Sequence, residues 1–334
     1  PSNNNCEVTH IDGLQAFQVI YEFARDFVFI SRDIGVRFNS ALDLVDVENS
    51  FSYRIDLPPT SNITYRLNCS NSVREVNRIW IAMNVTEEYK GDHYTWQPTD
   101  VTLISVVQDF ISFYKKDDFG VIKIFTEQVT FNDTVAINTI KGFEDLVNTG
   151  VKKYENNKID DFIGNNSYTR GNVTSYYSNK FVPNILSLLS SFIAQYLRTP
   201  IPWTSNDLII LTNGICGSAC ALIAKHAVEN NNVTSVAVGG FVNTSLSYSS
   251  FPGGFFSDSS AIFKISSLNN TLIPNPFPLA AFITFPYTEV YSKTQPDQLL
   301  EFLFTPAKFR LYYNDQSIYD PSILWSDAAA LIGK

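Results

Sequence analysis

The stretch LTNGICGSACALIAKHA, residues 211–227, constrains the fold more than any other part of the chain. An apolar run from Leu208 to Leu211 stops at Asn213-Gly214, and a helical pattern begins near Ser218. The order is therefore strand, tight turn, helix. A helix start presents unpaired amide donors and the positive end of the helix dipole. Ser218, set between Cys216 and Cys220, has two readings there. Flanked by Gly217 and Ala219, it suits a nucleophile whose oxyanion is held by backbone N–H groups. Equally, serine is a preferred N-cap, and glycines ahead of it permit a turn without any chemistry.

Other signatures fail at this turn. It is not G-x-S-x-G, and no Gly-Lys-[Ser/Thr] follows the glycines as a phosphate loop requires. Cys216, Cys220 and His226 lack a second pair of ligands at a characteristic spacing, so no metal is expected. An isolated VGGF is far from a dinucleotide fingerprint, and no cofactor is expected either.

The flanking sequence supplies the frame. VTHIDGLQAFQVIYEFARDFV reads as a short strand, a turn at Asp12-Gly13 and a helix with Ala16, Phe17, Ile20, Phe23 and Phe27 at helical spacing. NITYRLN and NRIWIAMNV alternate as strands. These make a small α+β module, 1–95, closed by the aperiodic stretch TEEYKGDHYTWQPTD. The remainder, 96–334, alternates: strand FGVIKIF, helices VAINTIKGFEDLVNTG and PNILSLLSSFIAQYL, strand DLIILTNG, helix SACALIAKHAVENN, strand TSVAVGGF. Such alternation predicts an α/β core with a largely parallel sheet, whose ligands gather at the carboxyl ends of its strands.

Compartment and partners follow from charge, cysteine and asparagine. A formal net charge of −9 argues against nucleic acid or an anionic membrane surface as partner. Four cysteines, Cys6, Cys69, Cys216 and Cys220, suit two disulfides in an oxidising compartment, with three possible pairings. Glycosylation sequons stand at Asn62, Asn68, Asn84, Asn132, Asn165, Asn172, Asn232, Asn243 and Asn269. The chain opens on Pro1 without a signal-peptide pattern and has no run of about 18 apolar residues. The expectation is a mature or cropped segment of a secreted or cell-surface protein.

The residues PWTSNDLIILTNGICGSACALIAKHA, followed by TSVAVGGF and FPGGF, resemble the tail-specific (C-terminal processing) peptidases, family S41, in their secreted fungal and protist branch. YTRGNVTSYYSNKF, HIDGLQAF, SRDIGVRFNSAL and the closing EFLFTPAKFRLYYNDQSIYDPSILW are similar to the same branch, so the likeness spans most of the chain. The resemblance implies a ClpP/crotonase-like α/β core with an N-terminal PDZ-like α+β module. It also implies hydrolysis of peptide bonds through a serine acyl-enzyme, with Ser218 at the nucleophile position and its own amide as one oxyanion donor. A peptide or protein would be the substrate. Gly239, Gly240, Gly253 and Gly254 fall beside the family's peptide-binding loops, where turn geometry is the alternative role.

Three departures separate the chain from that pattern. GGFVNTSLSYSSFPGGFF contains no lysine where many members place their base. Lys225 and His226 lie about 10–12 Å along the helix from Ser218, as solvated or packing residues. The histidine used by the tricorn-like branch has no match in His10 or His93, and GVKK, 150–153, passes into YENNKIDDFIG without a glycine-rich turn. Asp297 and Glu301 read as a solvated helix start. Two functions stay open: a secreted serine peptidase, or an inactive domain of the same kind serving as an extracellular binding or assembly module, including a homo-oligomer.

Overall fold

A computed structural model describes residues 6–43, 49–52, 58–70, 72–81, 101–107, 111–116, 119–124, 166–170, 172–177, 204–250, 256–258, 284–286, 289–292, 294–300 and 303–333. The chain divides into two compact units: 1–127 together with 203–334, and 128–202. The expected boundary at 95/96, the two expected helices between 135 and 197, and the GVKK segment lie outside the described residues.

The first unit begins with an antiparallel sheet in the order β2-β1-β3-β4, from β1 (Glu7–Ile11), β2 (Leu14–Gln15), β3 (Asn62–Cys69) and β4 (Ser72–Ile79). Asp12 and Gly13, at φ 47° and 82°, make the β1–β2 turn, a conformation glycine adopts freely and aspartate more readily than most residues. Asp12 Oδ1 also accepts from the Thr64 amide at 2.7 Å. β4 ends sooner than the apolar run RIWIAM suggests. Trp80 leaves the ladder, its amide donating to the Ser61 carbonyl and its ring packing on the core.

Helix α1 (Ala16–Phe27) lies on this sheet and buries Ala16, Ile20 and Ala24 against Ile11, Ile63, Val28 and Phe51. Burying a side chain such as Ile20 contributes roughly 2–3 kcal/mol. Two expected core positions turn outward: Phe17 and Phe27 are exposed. Phe17 instead joins a ring cluster with Tyr21, Phe38 and Phe241, at centroid distances of 5.4–6.3 Å from it. Helix α2 (Ile34–Leu42) follows, capped by Asp33, whose side chain accepts from the Gly35 amide.

β5 (Thr102–Val107), β6 (Ile111–Lys116) and β7 (Phe119–Ile124) form an antiparallel meander. FGVIKIF thus enters an antiparallel sheet and not the expected parallel one. Strand spacing is the same in both, and only the partner distinguishes them. The parallel sheet is β10-β11-β14, from β10 (Ile209–Thr212), β11 (Thr234–Val238) and β14 (Phe309–Leu311). Its register pairs Thr212 with Ala237 and Val238 with Leu311. Helix α3 (Ser218–Lys225) follows β10 and runs into a π turn, His226–Asn230. Val36 of α2, Ala237 and Leu246 form a second buried cluster joining α2 to this sheet. Strands β12 (Phe256–Asp258) and β13 (Thr284–Pro286) pair antiparallel. Asp297 falls in an exposed turn just ahead of a 3-10 turn that begins at Leu300, with Tyr291 bridged to Leu299; Glu301 is outside the described residues. Helix α4 (Ser322–Ala330) stands on the meander, Lys116 Nζ donating to the Ser322 carbonyl at 3.2 Å.

In the second unit, β8 (Asn166–Arg170) and β9 (Val173–Tyr177) form a hairpin. It is fastened by a Thr169–Thr174 hydroxyl pair at 2.9 Å and an edge-on Tyr168–Tyr177 contact.

Two disulfides are present, Cys6–Cys69 and Cys216–Cys220. The first continues the β1–β3 ladder one step beyond the Glu7–Asn68 pair. Among the described residues no helix is long and apolar enough to cross a membrane, and no cluster of metal-ligating side chains is present.

Candidate functional site

The turn between β10 and α3 is fixed from several directions. Gly214 has φ 88°, and a Cβ there would lie 2.5 Å from Val36 Cγ2 and 2.8 Å from the Ser247 carbonyl. Only glycine fits. The Gly214 amide donates to Thr212 Oγ1 at 3.0 Å and the Ile215 amide to Asn213 Oδ1 at 3.1 Å. From α2, Asn39 Nδ2 donates to the carbonyls of Asn213 (2.7 Å) and Val238 (2.9 Å), while its Oδ1 accepts from the Gly240 amide at 2.7 Å. One side chain thus ties the carboxyl ends of two parallel strands together. On the other side, the Ser250 amide donates to the Cys216 carbonyl at 2.9 Å. The Cys216–Cys220 disulfide then closes a small ring around Ser218.

Ser218 has φ 50°, the left-handed region that residues with a side chain rarely adopt. Gly217 holds the N-cap position with an extended backbone, φ −105° and ψ 173°, and Ser218 is the first helical residue. The N-cap role is therefore taken by the glycine. Ser218 is half-buried, and its hydroxyl makes no hydrogen bond among the described residues. Strain of this kind persists only where the surroundings over-determine it. Asn39, Val36, Ser250 and the disulfide supply that constraint. The first amides of α3, at 218–220, precede any intrahelical acceptor and mark the point where a developing negative charge is best held.

The glycines after β11 have a different role. Gly239 and Gly240 have φ 86° and 68°. A Cβ at 239 would collide with Asn39 Oδ1. Both amides are engaged, Gly239 with the Leu311 carbonyl at 3.0 Å and Gly240 with Asn39. They shape the turn that receives Asn39. Gly253 and Gly254 are outside the described residues, as are His93, Asn84, Asn132, Asn165 and Asn269.

Of the two basic residues on the helix, Lys225 is packed and His226 is exposed. Lys225 Nζ donates to Thr305 Oγ1 at 2.8 Å, stands 4.0 Å from Glu229 and faces the Tyr248 ring at 5.5 Å. Burial lowers its pKa, opposed in part by Glu229. Burial also pushes the Tyr248 phenol up to about 12, opposed in part by the Thr305 hydroxyl. His10 lies in β1 beside Thr9 Oγ1 at 3.0 Å, on the other sheet. Among the described residues, neither lysine nor histidine is hydrogen-bonded to Ser218.

A cleft of about 410 Å³ is lined by Ser249, Ser250, Arg32, Asp33 and Phe304; Ser250 links it to the turn through the Cys216 carbonyl, and Ser218 is not part of its lining. Asp33 is fully engaged: Oδ1 accepts from the Gly35 amide and Oδ2 from the Ser247 amide, at 2.8 and 2.7 Å. It acts as a strut. Asp33, Asn39 and Ser250 escaped the reading of the sequence. An Asp ahead of a helical pattern signals a cap, but nothing local announces Asn39, whose partners lie 174 to 201 positions away.

Compared with family models, with curated proteins and with solved structures, the chain gives no match.

Proposed function

We propose that the chain is a serine hydrolase of the peptidase type resembling family S41, with Ser218 as the nucleophile toward an extended peptide. The observation that supports this most is the left-handed backbone of Ser218, held by four independent constraints directly after a strand of a parallel sheet. A serine retained there at an energetic cost, when glycine would be strain-free, fits a need for the hydroxyl itself. Attack by Oγ on a scissile carbonyl would place the developing oxyanion near the first amides of α3. The neighbouring cleft offers room for a substrate side chain. Two disulfides fit a chain that acts in an oxidising, extracellular setting.

A second reading, an inactive domain of the same kind that binds or assembles outside the cell, is favoured by one observation: no base stands on the Ser218 hydroxyl among the described residues. The two are separated by a fluorophosphonate probe on the purified full chain, beside Ser218→Ala. Labelling that disappears in the variant supports the hydrolase. Absence of labelling, under conditions that label an active family S41 peptidase, transfers the assignment to the binding module.

A further inference from the structure

The outer face of the sheet β2-β1-β3-β4 carries one arrangement twice. Asn62 and Asn68 stand at the two ends of β3, an even number of positions apart, on the face opposite buried Ile63 and Leu67. Both are exposed, and neither side-chain amide is hydrogen-bonded among the described residues. Each opens a sequon, Asn62-Ile63-Thr64 and Asn68-Cys69-Ser70. The register sets Asn62 opposite Ile79 and Asn68 opposite Val73. Directly opposed residues share a face, with Cβ atoms about 4.5–5.5 Å apart. Ile79 is 73% exposed and Val73 58%. Each sequon asparagine therefore has a bare aliphatic side chain at its shoulder. Among the described residues β4 is also the last strand of this sheet, and a strand at a sheet edge invites pairing with another chain.

We propose that Asn62 and Asn68 carry N-linked glycans, and that the first N-acetylglucosamine of each lies across Ile79 and Val73, closing this face and its edge to other proteins. The proposal rests on the extracellular route in the reading above. The donor is an oligosaccharide linked to a polyprenyl pyrophosphate. Its C1–O bond breaks, C1 bonds to the asparagine Nδ2, the pyrophosphate leaves with the electron pair, and the amide gives up one proton. The acetamido methyl and the C–H face of the sugar then cover apolar surface that the protein leaves open, while the bulk of the glycan obstructs strand addition at β4.

The test uses the full chain, secreted from a eukaryotic host under an appended signal sequence. Enzymatic deglycosylation in heavy-oxygen water converts each formerly glycosylated asparagine to a labelled aspartate, read by peptide mass spectrometry. Labels at 62 and 68 are expected. A Thr64→Ala, Ser70→Ala variant loses both, brightens an apolar-surface dye severalfold and elutes as larger species. Adding Val73→Ser and Ile79→Ser returns both signals to the starting level. Unlabelled 62 and 68 overturn the proposal, most directly if Asn172, Asn232 or Asn243 is labelled in the same sample, since the chain has then met the transferase. Labels at both sites with no change of dye signal or elution on their loss overturn the covering role. The serine probe applied to the same material reports on Ser218 separately, so failure of the hydrolase reading is not mistaken for failure here.

Discussion

A side chain at a left-handed position costs about 1–2 kcal/mol, and glycine escapes that cost. Ser218 at φ 50° therefore predicts an asymmetry between two variants that both remove the hydroxyl. Ser218→Gly should be more stable than Ser218→Ala by about 1 kcal/mol in denaturant unfolding, while both lose probe labelling. Equal stabilities would show that the backbone at 218 carries no strain. Tyr248 makes a second prediction. Its phenol is pushed up to about 12 by burial, so between the ordinary value near 10 and about 12 the folded state holds a proton that the unfolded state has lost. Stability is thus unaffected below pH 10 and falls as pH rises from 10 toward 12. Tyr248→Phe removes the titrating hydroxyl, so it should lessen the alkaline loss, measured by unfolding at about pH 9 and pH 11. An unchanged alkaline slope would assign the loss to other groups.

At the scale of elements, the two disulfides do different work. Cys6–Cys69 spans 63 positions and Cys216–Cys220 spans 4. Loop-closure entropy gives about 4 kcal/mol for the first and about 2 kcal/mol for the second. Replacing Cys6 and Cys69 by serine should lower the unfolding midpoint markedly with little effect on the turn. Replacing Cys216 and Cys220 should cost less stability yet raise amide exchange at 215–221 and abolish serine labelling. The reverse ranking would refute the division. Asn39→Ala removes both donors to the carbonyls of Asn213 and Val238 and the acceptor of the Gly240 amide; the expected loss is about 2–4 kcal/mol, with exchange rising at Gly240. Loss of stability without faster exchange there would place the damage elsewhere. The strand–turn–helix at 209–225 was legible because apolar run, glycines and helical spacing are all local. The meander was not, since FGVIKIF fits a parallel or an antiparallel neighbour equally well. Phe17 and Phe27 fitted the helical period yet face outward, because the narrow contact with the sheet is filled by Ala16, Ile20 and Ala24. The serine's strain was invisible for a similar reason: a positive φ at a non-glycine residue is imposed by tertiary partners.

For the whole molecule, a formal net charge of −9 predicts no retention on immobilised heparin or DNA at physiological salt. Retention would reveal a basic patch unsuspected from composition. Asn39 and Asn213 are 174 positions apart, and Ser247 and Ser250, which meet Asp33 and Cys216, come later still. At about 5–20 residues per second a ribosome delivers these parts roughly 10–40 s apart, long on the scale of chain motions, N-terminal portion first. Until residue 250 has emerged and docked, the contacts described around the turn are incomplete and residue 218 is free to keep the relaxed backbone region. The turn thus behaves like a lock whose last tumbler is also the last to be made, so the backbone at 218 takes its strained form only late in synthesis.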